Sequence, residues 1–355
     1  MIFQPPKTLK HSPTTREKWA LALFLILSLI LLYLAKWGPY ARKLPIVSHS
    51  HTLGPSIISG YTNRPPTPSW NAAWQFAWLY FQDIWVALVA GMVIGAGIET
   101  LVPRGWLAQK LGTMGWKSRL WAGLSALPSM MCTCCSSPIV VNLKRSNVST
   151  GAAFSYWVAN PLLNPATIVF MGFVLGWNWA AWRVLLGILL VGITGILGDY
   201  WLPQGVHPGS LPTMSPQITD ERILRAFIKS ISRLIYRLIP EYVLLVMLLG
   251  IARAWLLPAM NPQLGHAWWI LLALAFVGTL FVVPTAGEIP IVFVLLHYGL
   301  GTGAAMVLLI TLPAISLPSA AMVSRAISLR VLAQLGLVIA VFGVISGITA
   351  ALFIG

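Results

Sequence analysis

The side chains of this sequence best suited to chemistry are its three cysteines, all of which lie between Cys132 and Cys135. Pro128 and Pro138 bracket them, and Asn160-Pro161 and Asn164-Pro165 follow. Clustered thiols hold soft, thiophilic centres such as trivalent arsenic, Cu(I), Zn or Hg. The bland alternative is that membrane cysteines pack as small apolar groups. Clustering between two prolines favours binding, because proline removes a backbone donor and breaks helices. Broken backbone at membrane depth persists only against protein or a water-filled cavity. Cys132 and Cys134 are the expected pair for a soft metalloid, with Cys135 and Ser136 beside them as further substrate contacts. All three thiols converge only if the backbone between the prolines is irregular. A closed zinc site wants four ligands, and no histidine stands near in sequence, so no cofactor is implied. A bridge between adjacent Cys134 and Cys135 would be strained; free thiols are expected.

A second group stands out by isolation. Between Ala254 and Leu296 the only ionisable acid or base besides Glu288 is His266. Carboxylates inside membrane segments mark proton relays and ion paths, so Glu288 is the candidate for proton coupling. Asn160, Asn164 and Ser316 sit at helix breaks, where they either contact substrate or satisfy carbonyls freed by the prolines. Asp83, Glu99, Asp199 and Glu241 lie nearer segment ends, where exposure at the membrane interface explains them.

The elements that must position these groups are membrane segments. The chain is 57% hydrophobic and 9% charged over 355 residues, against roughly 25% charged in soluble domains. That excludes a soluble globular class. The net charge of +15 is carried in short basic stretches between apolar runs, as the positive-inside rule requires, which argues against nucleic acid as a partner. The lipid bilayer is the expected partner, and a homo-oligomer is compatible with this reading.

Residues 1–74 read as a polar tail, an uncleaved anchor helix from Trp19 to Ala35, and an irregular loop from 37. Residues 75–202 hold the cysteine segment, 203–237 a basic loop and amphipathic helix, and 238–355 four further apolar segments. The second half repeats the first. One constant interval separates Pro138-Ile-Val140 from Pro290-Ile-Val292, Thr150-Gly-Ala-Ala153 from Thr302-Gly-Ala-Ala305, and Pro161 from Pro313. If 120–143 and 267–297 are re-entrant hairpins, every short basic loop falls on the cytoplasmic side. Each repeat then has three spans, and an odd number of spans inverts one repeat against the other. The expected fold is an all-α polytopic membrane protein: an N-terminal anchor helix plus two inverted repeats, each with three spanning helices and one Pro-broken re-entrant hairpin. The N-terminus is expected in the cytoplasm and the protein in the inner or plasma membrane. If both Pro-containing segments instead kink and span, nine helices and parallel repeats result.

The Pro-flanked Cys-x-Cys stretch, Thr150-Gly-Ala-Ala153, the Pro-broken helix and Pro284-Thr-Ala-Gly-Glu-Ile-Pro290 together resemble the predicted permeases that include YraQ-like proteins and the organoarsenical-efflux permeases. The resemblance covers roughly 75–350, leaving the anchor helix outside it. It implies a permease fold, maps the family's cysteine pair onto Cys132 and Cys134, and points to a small thiophilic solute. The expected function is therefore secondary transport, not enzymatic catalysis: efflux of a solute such as a trivalent organoarsenical, with protons as coupling ion. No phosphate-binding Gly-x4-Gly-Lys-Ser/Thr loop occurs to supply ATP drive. Two alternatives are a membrane thiol oxidoreductase, which lacks a second cysteine pair to relay electrons, and a non-transporting scaffold, which leaves the duplicated broken helices unexplained.

Overall fold

The computed structural model describes residues 15–54, 69–102, 110–203, 225–233, 268–297 and 299–353, with Leu107 and scattered residues of 235–248. The expected segment 238–258, the loop 203–220, Glu241 and His266 lie wholly or mostly outside the described residues. Those described are helical, with no strand among them. Helix α1 (Thr15–Leu32) runs through a π-turn (Tyr33–Trp37) into α2 (Gly38–Ser50). There follow α3 (Trp70–Leu101), α4 (Trp116–Ala126), α5 (Thr133–Arg145), α6 (Thr150–Leu162), α7 (Pro165–Val174) and α8 (Trp177–Trp201). The second half has α9 (Trp268–Leu280), α10 (Glu288–His297), α11 (Thr302–Ala314), α12 (Leu317–Val323) and α13 (Leu329–Phe353).

Among the described residues, six helices or broken helix pairs are long and apolar enough to cross a membrane. They are Ala22–Ser50, Trp70–Leu101, Thr150–Val174, Trp177–Trp201, Thr302–Val323 and Leu329–Phe353. Burial is arranged for lipid. Leu185, Ile188 and Ile196 of α8 and Leu337, Val341 and Ile348 of α13 are exposed, while Ser136, Asn142, Asn160, Arg183 and Thr311 are fully buried. In water such an outer surface would be an association hazard; in a bilayer it is the solvated face.

The prolines act where the sequence places them. The chain breaks between α6 and α7 at Leu163-Asn164 and between α11 and α12 at Ile315-Ser316, each break following a Pro and preceding another. The segments around 128–132 and 281–287 are likewise non-α, with α4 and α5, and α9 and α10, on either side. One expectation fails. The chain from residue 37 is helical to Ser50 rather than irregular, because Pro39 falls in the first turn of α2, where no donor is needed, and Pro45 is accommodated within it.

Close helix contacts are made at glycines, as membrane bundles favour. α3 packs along α5, α6 along α8 and α11 along α13. A Cβ on Gly91 would fall against the Cys135 carbonyl, and one on Gly95 would stand 2.9 Å from the Pro138 carbonyl oxygen. Phe24 of α1 covers Gly97 in the same way, docking the N-terminal helix onto α3. Gly91→Leu should therefore destabilise the protein by about 1–3 kcal/mol or more, the usual cost of overpacking. Gly192→Leu, with nothing within 4 Å of its Cβ position, should change little. Thermal unfolding in detergent measures both, and equal shifts would contradict the α3–α5 contact.

Candidate functional site

Cys132 is the N-cap of α5, with Thr133, Cys134 and Cys135 in its first turn. All three thiols are free and buried. Because the helix is regular from Thr133, residues three apart share a face while residues two apart do not. Cys132 and Cys135 therefore meet, sulfur to sulfur at 2.9 Å, and Cys134 points elsewhere, 3.6 Å from the Ser316 hydroxyl. The thiol in contact with Cys132 is therefore Cys135, at Cys-x-x-Cys spacing, and not the Cys134 of the expected pair. Among the described residues no three His, Cys, Asp or Glu side chains converge as metal ligands.

The turn before the thiols is held in place from α6. The Asn160 carboxamide oxygen accepts from the Ser129 hydroxyl at 2.6 Å and from the Met131 amide at 3.0 Å. Between them Met130 adopts a left-handed φ of 47°. Strain of order 1–3 kcal/mol persists at such positions only where surrounding contacts enforce it. The Trp157 indole donates to the Thr133 carbonyl at 3.0 Å. Ser136 turns back on its own helix, donating to the carbonyls of Cys132 and Thr133 at 2.9 and 3.2 Å. Asn164 caps α7, its side-chain oxygen accepting from Ala166 and Thr167 amides. Ser316 and Ser319 form a reciprocal capping box at the start of α12. Of the sequence candidates, the cysteines, Ser136, Asn160 and Ser316 thus gather at one locus. Asn164 belongs to the neighbouring helix break.

The second half contributes its unwound stretch 281–287. Tyr80 of α3 donates to the Val283 carbonyl at 3.2 Å. The Thr285 hydroxyl lies beside Cys132 and accepts from the Lys36 ammonium at 2.8 Å. Lys36 is buried in the π-turn; such turns inside helices frequently mark functional positions. The helix expected to be a mere anchor therefore reaches the thiols. Its signal in the sequence was a lysine closing the charge-free run from Trp19.

Glu288 is buried as expected but is not alone. Arg183 of α8 meets its carboxylate at 2.7 Å, with both side chains essentially inaccessible. The guanidinium also donates to the carbonyls of Pro161, Leu162 and Leu309 at 2.9, 3.1 and 3.4 Å. Each of these carbonyls has lost its helical donor four residues on. Pro165 and Pro313 have no N–H, and the Ala166 amide is taken by Asn164. Arg183 was overlooked in sequence although it is the one charged residue between Arg145 and Asp199.

A bundle with an apolar exterior, a polar interior and paired helix breaks is that of a polytopic membrane protein. A family profile described as "Predicted permease" matches residues 118–352. The chain is 39% identical to UPF0718 protein YraQ of Escherichia coli (strain K12), the alignment covering 97% of this chain and 98% of that protein. It is 20% identical to UPF0718 protein MJ0584 of Methanocaldococcus jannaschii, over 76% of this chain and 92% of the relative. The chain belongs to this predicted permease family. No solved structure matches it.

Removing one partner of a buried ion pair destabilises by about 3–5 kcal/mol, because the other charge is left uncompensated. Arg183→Met and Glu288→Gln should each lower the melting temperature in detergent. The double variant should lie above the sum of the two losses, since no charge is then stranded. Strict additivity would contradict the pairing.

Proposed function

We propose that the protein is a secondary-transport permease that exports a small thiophilic solute, such as a trivalent organoarsenical, in exchange for protons. The observation that carries this reading is the approach of the Cys132 and Cys135 sulfurs to 2.9 Å, at a locus built by broken segments of both halves. Two thiols at that spacing chelate a soft centre that one thiol holds weakly. Asn160 and Trp157 keep the turn in position, and Cys134 and Ser316 line the adjoining contact between α5 and α12. Glu288 is the coupling group in this scheme, with Arg183 as its counter-ion. Proton binding to the carboxylate competes with the ion pair, so protonation loosens a contact that ties α8 to α10.

The two halves are inverted repeats in this proposal, 75–202 and 238–355, with the N-terminus and the loop 203–237 in the cytoplasm of a cell inner or plasma membrane. Matching close contacts support the duplication itself. Gly151 abuts the Gly195 carbonyl between α6 and α8, and Gly303 abuts the Gly347 carbonyl between α11 and α13. These pairs stand at the same interval as the sequence repeat.

A second reading has one specific observation in its favour. Cys132 caps a helix N-terminus and Cys135 lies one turn on, an arrangement that promotes thiol–disulfide chemistry. A redox titration showing a Cys132–Cys135 disulfide cycling with turnover would support a membrane thiol oxidoreductase instead.

Uptake of trivalent methylarsenical into everted vesicles, with and without an imposed pH gradient, separates these outcomes. Cys132→Ser and Cys135→Ser should each remove most uptake, and Cys134→Ser should matter less. Glu288→Gln should still exchange substrate yet lose gradient-driven accumulation. Normal uptake by the triple serine variant would dismiss the thiol site.

A further inference from the structure

Lys36 presents an unbalanced charge. It is 5% exposed, and burying an ammonium without a counter-ion is strongly unfavourable. Its hydrogen-bond partners are hydroxyls: Thr285 at 2.8 Å and Tyr40 at 3.5 Å. Among the described residues no carboxylate forms an ion pair with it. Of the other buried charges among the described residues, Arg183 and Glu288 neutralise one another, and Lys144 donates to the Val148 carbonyl and the Thr150 hydroxyl at the end of its own helix. On the thiol side, the indole of the next residue, Trp37, donates to the Pro128 carbonyl at 2.7 Å, which sets the ammonium against the turn that leads into Cys132 and Cys135.

The surroundings are suited to an anion. The N-terminus of α5, thirteen residues long, ends at Cys132 and contributes partial positive charge. The Thr285 and Tyr40 hydroxyls can donate. Met130, Tyr40 and Thr285 are only half-buried, which leaves the rim of this locus partly accessible. We propose that Lys36, Tyr40 and Thr285 form an anion subsite beside the Cys132–Cys135 pair, so that the cargo is a thiophilic solute carrying a negative charge. This rests on the permease reading and narrows it. A soft atom contacts the thiols while a carboxylate or oxyanion group meets the ammonium. The N-terminal helix, outside the matched family region of 118–352, then sets which thiophilic solutes are accepted.

The test compares alkylation of the full-length protein in detergent by iodoacetate, an anion, and by iodoacetamide, its neutral analogue. Mass spectrometry reads each product on Cys132 and Cys135. The ratio of the two rates, divided by the same ratio for glutathione, cancels thiol ionisation and isolates the local charge. Wild type should favour iodoacetate by about tenfold, a modest effect for unit charges several ångströms apart. Lys36→Met should bring the ratio to the glutathione value, and Lys36→Arg should retain most of it. A wild-type ratio at the glutathione level overturns the subsite whether or not the variants fold. So does an unchanged ratio in Lys36→Met, or failure of both reagents to reach either thiol. A protein that fails this test and still exports methylarsenical loses the anion subsite alone.

Discussion

A carbonyl without a donor cannot be left in the interior of a membrane protein. Each prolyl ring in this bundle removes one backbone N–H, and in hydrocarbon no water replaces it. Arg183 resolves that constraint at the centre of the molecule. Three of its contacts go to carbonyls deprived of helical donors, two on α6 and one on α11, and the fourth neutralises its charge on Glu288. One side chain thereby joins both broken helices to α8 and α10. Replacing it with an apolar residue would strand three acceptors and one charge together.

The thiol site follows the same logic. Its backbone is irregular in both halves, and fixed side chains attend to the polar groups there: Asn160 for the Ser129–Met131 turn, Tyr80 for Val283, Lys36 for Thr285. The side chains that stabilise the irregular backbone are the ones that gather polar groups at the thiols. The two loci are tied through stretch 281–287, which carries Thr285 at the thiols and leads directly into Glu288 at Arg183.

The cysteine cluster, the helix breaks and the lipid-facing spans were all legible in the sequence, because prolines, polar residues in apolar runs and hydropathy are local signals. Pairing was less so. The thiol pair follows from helix phase: once Thr133 begins a regular helix, Cys135 replaces Cys134 as the neighbour of Cys132. Arg183 and Lys36 each appear in sequence as a lone charge in an apolar run, one read past and the other taken as the end of a span. Their partners, Glu288 and Thr285, lie far along the chain, and only packing brings them together. The helical continuation through Ser50 was hidden because prolines usually mark an end, yet Pro39 in a first turn is harmless.

The central claim is that broken segments from the two halves meet at the thiols and that Arg183 holds them there. Cys134 and Ser316 are the sharpest probe, being 3.6 Å apart on α5 and at the cap of α12. In a protein carrying Cys132→Ser, Cys135→Ser and Ser316→Cys, mild oxidation should join residues 134 and 316 in a disulfide, detected as a linked peptide by mass spectrometry. Adding Arg183→Met should lower the yield sharply. Contradiction would be a yield no greater than that of Cys134 with a cysteine placed at lipid-facing Leu337, or a yield indifferent to Arg183.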